Sequence, residues 1–457
     1  MKYIVRDRSF YAQLVKLGVP MIFQSIINVC INITDTLMLS KMDESQISAS
    51  SLAGNYMSIF TVFCMGLGFG ASVMTSQFWG DKDKHGFRSV MTIMIRISFV
   101  MGLLFTAITL ISPRTIMQIY TDEVLIIEAG TKYLEVVAYS FFFVLLYLPM
   151  SVVVCSAHKA VIPLIATICS FMLNIFFNWV FIFGNLGAPR MEIAGAALGT
   201  LIAYIFEAVF IFTYLFVFDK DVGYRPKHLF LKCRSYLPRF LSYSAPVILS
   251  DSILAVGTSI LSVIMGHISG SFVAACAIIT VITRLTTIFC QGLSSAATVI
   301  VGNTVGRGDK ERAMEEGVTS SLLSVLVAIF AACLVLLIGK PYISFYEVGE
   351  GTKAIAHELL YASAIHLVFM TTAAMLTKGV LRAGGDTKYL VFLDVIFLWV
   401  VSLPLGYLAG FVFHLPPFWI FICLHFDSPI KMIFGFKRLY SEKWIHMMTK
   451  ANQQQIV

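Results

Sequence analysis

Charge is scarce in this chain: Asp, Glu, Lys and Arg make up only 13% of its 457 residues. An average soluble domain carries about a quarter, so a surface this poor in charge cannot face water all round. No hydrophilic domain interrupts the apolar runs. No G-x-x-x-x-G-K-[ST] loop is present, which argues against direct use of a nucleotide by this chain alone. The nine cysteines lie mostly inside apolar runs and form no C-x-x-C pair, so neither a disulfide framework nor a metal site is supported. They read as small packing residues. The nine histidines show no metal-ligand spacing, and no catalytic residue, metal ligand or cofactor is expected. Basic residues are scattered over short segments rather than gathered on one face, which argues against a nucleic-acid partner.

What the chain has instead is 58% apolar residues and a mean hydropathy of +0.84. Apolar runs near 20 residues match a hydrocarbon core about 30 Å thick. The runs are continuous rather than alternating, so helices are the expected spanning form. Twelve spans are predicted, at 12–38, 51–76, 89–111, 131–154, 161–183, 193–217, 239–265, 273–302, 317–338, 355–377, 389–410 and 414–436. Asp427, Pro429 and Lys431 interrupt the last. Of the 33 Lys and Arg residues, 25 fall in the N-terminal stretch, the even-numbered loops and the C-terminal end. That count includes Lys16 and Lys431 near the ends of the outer spans. Positive residues stay cytoplasmic, so both termini are expected on the cytoplasmic side of a cell membrane.

The chain repeats itself. MGLGFGASVMTSQFWGDKDK (65–84) and QGLSSAATVIVGNTVGRGDK (291–310) agree at seven of twenty positions without a gap. The same offset of 226 pairs Pro20 with Pro246, Ala157 with Ala383, Phe171 with Phe397 and Gly184 with Gly410. Such a constant register is an internal duplication. Six spans per half return the chain to its starting side, so the halves insert in the same direction. The expected fold is an all-α membrane protein of two parallel six-helix lobes, with the substrate path at their interface. The boundaries are an N-terminal lobe at 1–217, a basic cytoplasmic linker at 218–238, and a C-terminal lobe with its tail at 239–457.

Polar groups at membrane depth are costly and call for explanation. Asn28, Asn32 and Asp35 sit at i, i+4 and i+7 on one face of the first span. Asn174 and Asn178 project together from the fifth, and Thr200 opens the sixth. One carboxylate, two amides and a hydroxyl can form an oxygen-rich pocket for a proton or a small hard cation. Asp35 maps by the repeat onto Leu261, Asn174 onto Val400 and Asn178 onto Pro404, which confines this cluster to the N-terminal half. In the other half an Asp251–Arg284 pair is expected to neutralise two buried charges. Alternatively, Asp251 lines the cavity and meets a cationic substrate. Glu135 and Glu207 read as packing or interfacial groups, Arg96 as able to snorkel to a membrane surface, and Asp394 receives no role. The 38 Phe and 21 Met suit an adaptable binding surface and lipid-facing packing equally.

Several segments resemble the multidrug and toxic compound extrusion (MATE) family. They are GVLRAGGDTKY (379–389), ITDTLMLS (33–40), GAALGT (195–200) and the paired loops QFWGDKDK and NTVGRGDKE. Residues 80–88, GDKDKHGFR, do not match the G-x-x-x-D-R-x-G-R loop of the major facilitators. The resemblance implies an antiporter that expels organic, often cationic, compounds by alternating access while protons or sodium ions move inward. It implies a monomer in lipid with a small-molecule substrate. Asp35, Asn174, Asn178 and Thr200 resemble the family's N-lobe ion or proton site, although Asn178 stands where some members carry a second acid. Asn28, Asn32, Asp251 and Arg284 are candidates for the substrate cavity, and Pro20 for a hinge in the first span. Thr371 stands where members that couple through the C-lobe carry an acid. A flippase for a lipid-linked intermediate is the alternative, but only Arg96 and Arg284 lie within spans to meet a lipid phosphate. A membrane enzyme is less favoured still.

Overall fold

The computed structural model describes residues 3–39, 41–346 and 348–448; Ser40 of the ITDTLMLS segment and the tail from 449 lie outside them. The described residues form helices and no strand. Twelve helices are long and apolar enough to cross a membrane. They are α1 (Arg8–Leu39), α2 (Ser45–Gly80), α3 (Lys84–Ile111), α4 (Val124–Ser156), α5 (Val161–Phe183), α6 (Ile193–Phe218), α7 (Leu237–Ile268), α8 (Gly270–Gly306), α9 (Lys310–Ser344), α10 (Glu350–Leu381), α11 (Thr387–Val412) and α12 (Pro417–Tyr440). Each matches one predicted span. A short amphipathic helix, Pro113–Tyr120, lies between α3 and α4. The flagged residues of the last span mark a real break. Helical structure stops at Leu424 and resumes at Asp427, so Pro429 falls in a first turn, where its missing N–H costs nothing.

The chain divides into two compact units. One comprises residues 23–75 and 83–244; the other comprises 1–22, 76–82 and 245–457. The first has a core of Leu39, Ala53, Met117, Leu134, Val137, Ile182 and Ala197. The second holds two apolar clusters, one around Phe272, Val335, Leu359 and Leu398, the other around Val301, Met314, Leu381 and Trp444. Large apolar side chains also cover outward faces, as Val100, Leu104, Ile108 and Ile111 do along α3. A run of this kind is what lipid-facing helices present.

The duplicated motif has a structural reason at several of its positions. Asp83 and Asp309, identical partners in the repeat, cap the N-termini of α3 and α9. Their carboxylates accept from the backbone N–H of Gly86 (2.9 Å) and Arg312 (3.0 Å). Gly80 and Gly306 lie where the ends of α2 and α8 cross. A Cβ on Gly80 would stand 1.9 Å from the Asn303 carbonyl oxygen, and one on Gly306 would stand 1.9 Å from that of Gln77. Gln77 and Asn303 are themselves repeat partners, so one crossing is built twice from equivalent residues. Both backbones meet there, and no side chain larger than hydrogen fits.

The LRAGGDT segment is held by the end of the chain. Trp444 is fully buried against Gly384 and donates its indole N–H to the Leu439 carbonyl at 3.1 Å. Gln77 donates from Nε2 to the Ala383 carbonyl (3.1 Å) and accepts at Oε1 from the Met448 N–H (3.1 Å). Asp386 pairs with Arg438 at 2.6 Å.

The basic stretch 218–238 is pinned to its own unit rather than loose. Arg88 Nε donates to the Val222 carbonyl (2.7 Å), and Arg96 Nη2 donates to those of Leu229 (2.6 Å) and Leu231 (2.9 Å). Arg96, expected to reach for a membrane surface, is thus engaged by this segment. Lys159 pairs with Asp219 and, at 2.8 Å, with Asp221; its ammonium holds the Asp221 carboxyl below the usual carboxylate range. Replacing Arg88 and Arg96 together with alanine removes three of these anchors. Trypsin should then cut at Arg225–Arg234 several-fold faster than in the native protein, with the helical content unchanged by circular dichroism.

Candidate functional site

Helix α5 is built to bring polar groups inward. Asn174 and Asn178 are one turn apart and both essentially buried. Their partner is the half-buried Asp35 of α1. Asn178 Nδ2 donates to Asp35 Oδ1 at 2.6 Å and to Asn174 Oδ1 at 3.2 Å. Asn178 Oδ1 is buried and has no hydrogen-bond partner. An orphaned buried acceptor is costly, about 1–3 kcal/mol.

The GAALGT segment explains why the site is tight. Gly195 and Gly199 are four apart on α6 and face α5. A Cβ on Gly195 would press on the Phe181 backbone at 2.6 Å, and one on Gly199 would stand 2.2 Å from Asn178 Oδ1. Small residues at this spacing let two helices approach through their backbones, and here the approach pushes α6 against the unpaired oxygen. Thr200, the next residue, is half-buried and makes no hydrogen bond to the Asp35–Asn178 pair. Asn28 and Asn32 are exposed. The Asn32 amide turns back to donate to the Asn28 carbonyl at 2.9 Å, so neither bonds Asp35. Pro20 lies inside α1, which is helical on both sides of it.

The expected Asp251–Arg284 pair is not formed. Asp251 meets Lys378 at 3.2 Å and Arg382 at 3.7 Å, while Arg284 is exposed on α8. Lys378 and Arg382 fall beyond the predicted end of the tenth span and looked like loop residues. The helix runs on through π-helical turns at Met375–Leu381, which brings both cations onto the face that meets α7. Asp394, left without a role, belongs to a second buried network. Lys431 stands 3.5 Å from Asp394 and 2.7 Å from Asp427, and Ser402 donates to Asp427 at 2.9 Å. Beside it His366 donates to or accepts from Ser428 at 3.1 Å and lies 4.4 Å, ring to ring, from His425. The Thr371 hydroxyl bonds the Leu367 carbonyl of its own helix at 2.7 Å. Glu135 is exposed, whereas Glu207 is buried.

Gly199→Ala should displace Asn178 and cost about 1–3 kcal/mol, the usual range for overpacking. The expected result is a lower melting temperature together with reduced transport. Gly54→Ala, where nothing lies within 4 Å of the added methyl, should leave both unchanged.

Comparison with known proteins agrees with this architecture. Residues 20–180 and 246–408 each match the MatE family, and the two matches begin 226 residues apart, the period of the internal repeat. The chain is 23% identical over 444 residues to an uncharacterized transporter, YisQ, of Bacillus subtilis, covering 96% of both chains. It is 25% identical over 418 residues to a probable multidrug resistance protein, NorM, of Agrobacterium fabrum, covering 88% of this chain and 87% of that one. Among solved structures, an outward-facing multidrug resistance MATE family transporter of the MOP superfamily superposes with a TM-score of 0.85 at 19% identity, over 94% of this chain and 96% of the other. A MOP superfamily transporter from Pyrococcus furiosus, described as having a binding pocket of reverse polarity that suggests a different function, gives 0.85 at 18% over the same shares. With both halves matched in register, the chain belongs to the multidrug and toxic compound extrusion (MATE) family of membrane transporters.

Proposed function

We propose that this transporter is a cation-coupled antiporter that exports organic, often cationic, compounds by alternating access. The coupling ion, a proton or sodium, binds at Asp35 with Asn174, Asn178 and Thr200. One observation carries the reading: the Asp35 carboxylate has no cationic partner among the described residues and accepts a hydrogen bond from the buried amide of Asn178 at 2.6 Å. The names of its relatives, multidrug resistance proteins, supply the substrate class. In this reading the lobes are residues 1–217 and 239–457, joined by the linker 218–238. Both termini face the cytoplasm of a cell membrane, and the working unit is a monomer in lipid. Asp251 and Arg284 are offered as cavity residues and Pro20 as the hinge of α1.

The test is efflux of ethidium from vesicles under imposed proton and sodium gradients, comparing native protein with Asp35→Asn. Native protein should expel the dye under one of the two gradients, and that gradient names the ion. Asp35→Asn should slow gradient-driven efflux about tenfold or more, equivalent to about 1.4 kcal/mol. Efflux indifferent to Asp35 in well-folded protein would remove the site and favour lipid translocation.

A further inference from the structure

The buried polar face of α5 does not end at Asn174. Thr167, Ser170, Asn174 and Asn178 are spaced by three, four and four residues, and all four are at least 98% buried. They form one stripe about 16 Å long at 1.5 Å rise per residue. Asp35 stands at one end. At the other end, from α6, stands Glu207, only 4% exposed, with Thr167 and Ser170 beside its carboxyl.

Every other group around Glu207 is neutral. Thr167 Oγ1 lies 2.9 Å from the Tyr147 hydroxyl and accepts from Gln24 Nε2 at 3.4 Å, while Ser170 Oγ donates to the Ala203 carbonyl at 3.2 Å. Tyr147 of α4 and Tyr204 of α6 are the titratable groups that face it, with Cys155 beyond Tyr147. Tyr204 also lies within electrostatic range of Asp35, Tyr133 and Cys64. No Lys, Arg or His among the described residues opposes Glu207. An ionised carboxylate in such a place costs several kcal/mol unless it is paired, so its counter-ion has to come from outside the chain. A hard metal cation takes about six oxygens. Here the hydroxyls are already committed to Tyr147, Gln24 and Ala203, which leaves the carboxylate free for the smallest cation.

We propose that Glu207 is a second proton-binding group of the transport cycle, joined to Asp35 by the polar stripe of α5. The proposal rests on the antiporter reading above and adds a site to it. A proton from water adds to a Glu207 carboxylate oxygen, forming one O–H bond. On release that bond breaks and the proton returns to water. Nothing is oxidised or reduced, and the carboxylate is regenerated each cycle.

The test uses the full chain in proteoliposomes with ethidium as probe, measuring accumulation driven by a proton gradient and exchange at equal pH on both sides. Glu207→Gln should lose about tenfold in gradient-driven accumulation, the equivalent of about 1.4 kcal/mol. It should keep its equal-pH exchange and its melting temperature, and its pH profile should lose one step. Glu207→Asp, which restores a carboxyl, should recover part of the coupling. Unchanged gradient-driven transport in Glu207→Gln, with Asp35→Asn still defective, would overturn the second site and leave the antiporter standing. Equal loss in Gln and Asp variants together with a lowered melting temperature would make Glu207 a packing group and overturn it as well. Native protein driven by neither gradient would sink the antiporter reading itself, and one driven by sodium alone would overturn the proton assignment. If Glu207→Gln does not fold, proton release on adding ethidium to weakly buffered protein decides the matter. Asp35→Asn should still release about half the native amount, and release of none would overturn the proposal.

Discussion

Lipid offers no hydrogen-bond partner and no counter-charge, and the rest of this structure follows from that. Backbone groups have to be satisfied within each span, which makes every crossing segment a helix. Helices in lipid gain little from burying apolar side chains, so they associate by close packing, and glycine marks where they approach most closely. The crossing of α2 and α8 at Gly80 and Gly306, and of α5 and α6 at Gly195 and Gly199, are two uses of one device. The first ties residues 76–82 into the unit that holds the C-terminal half. The second sets the backbone of α6 against the buried amide of Asn178. The residues that make the chain resemble its family are thus mostly packing residues. They fix the geometry in which a few polar groups operate.

Much of this was legible in the chain itself. Continuous apolar runs locate the spans because a helix in lipid has to be long and unbroken by charge. The duplication is visible because equivalent positions carry equivalent mechanical duties: Asp83 and Asp309 both cap helices, and Gly80 and Gly306 both face the other's backbone. The Asn174–Asn178 pair was legible because helical spacing fixes which residues share a face. What spacing cannot give is which faces meet. Asp251 was matched with Arg284 because both lay within predicted spans, yet its partners are Lys378 and Arg382. Those cations stood outside the tenth span only because the apolar run ends before the helix does. Glu207 reads from the sequence as a packing or interfacial group; that Thr167 and Ser170 continue the buried stripe of Asn174 and Asn178 is seen only once the helices are placed.

The two units treat their acids differently within the spans, although Lys159 pairs with the buried Asp219 in the N-terminal one as well. In the unit of the C-terminal half, each buried acid has its cation: Asp251 with Lys378 and Arg382, Asp394 and Asp427 with Lys431, Asp386 with Arg438, and Glu316 with Arg312 at 3.2 Å. Pairs of this kind hold helices in register and have no charge left over for a passing ion, since breaking one strands a buried charge at a cost of about 3–5 kcal/mol. In the other unit Asp35 and Glu207 have only amides and hydroxyls around them. Those groups can accept or donate but cannot cancel a charge. On the proposed reading the cancelling cation enters and, for a cycle, leaves again. An acid closed into an ion pair is a fastening; an acid surrounded by neutral oxygens is a place where an ion is gained and lost. The repeat explains why both halves share one frame, and on the proposed reading the difference in charge compensation places coupling in one of them.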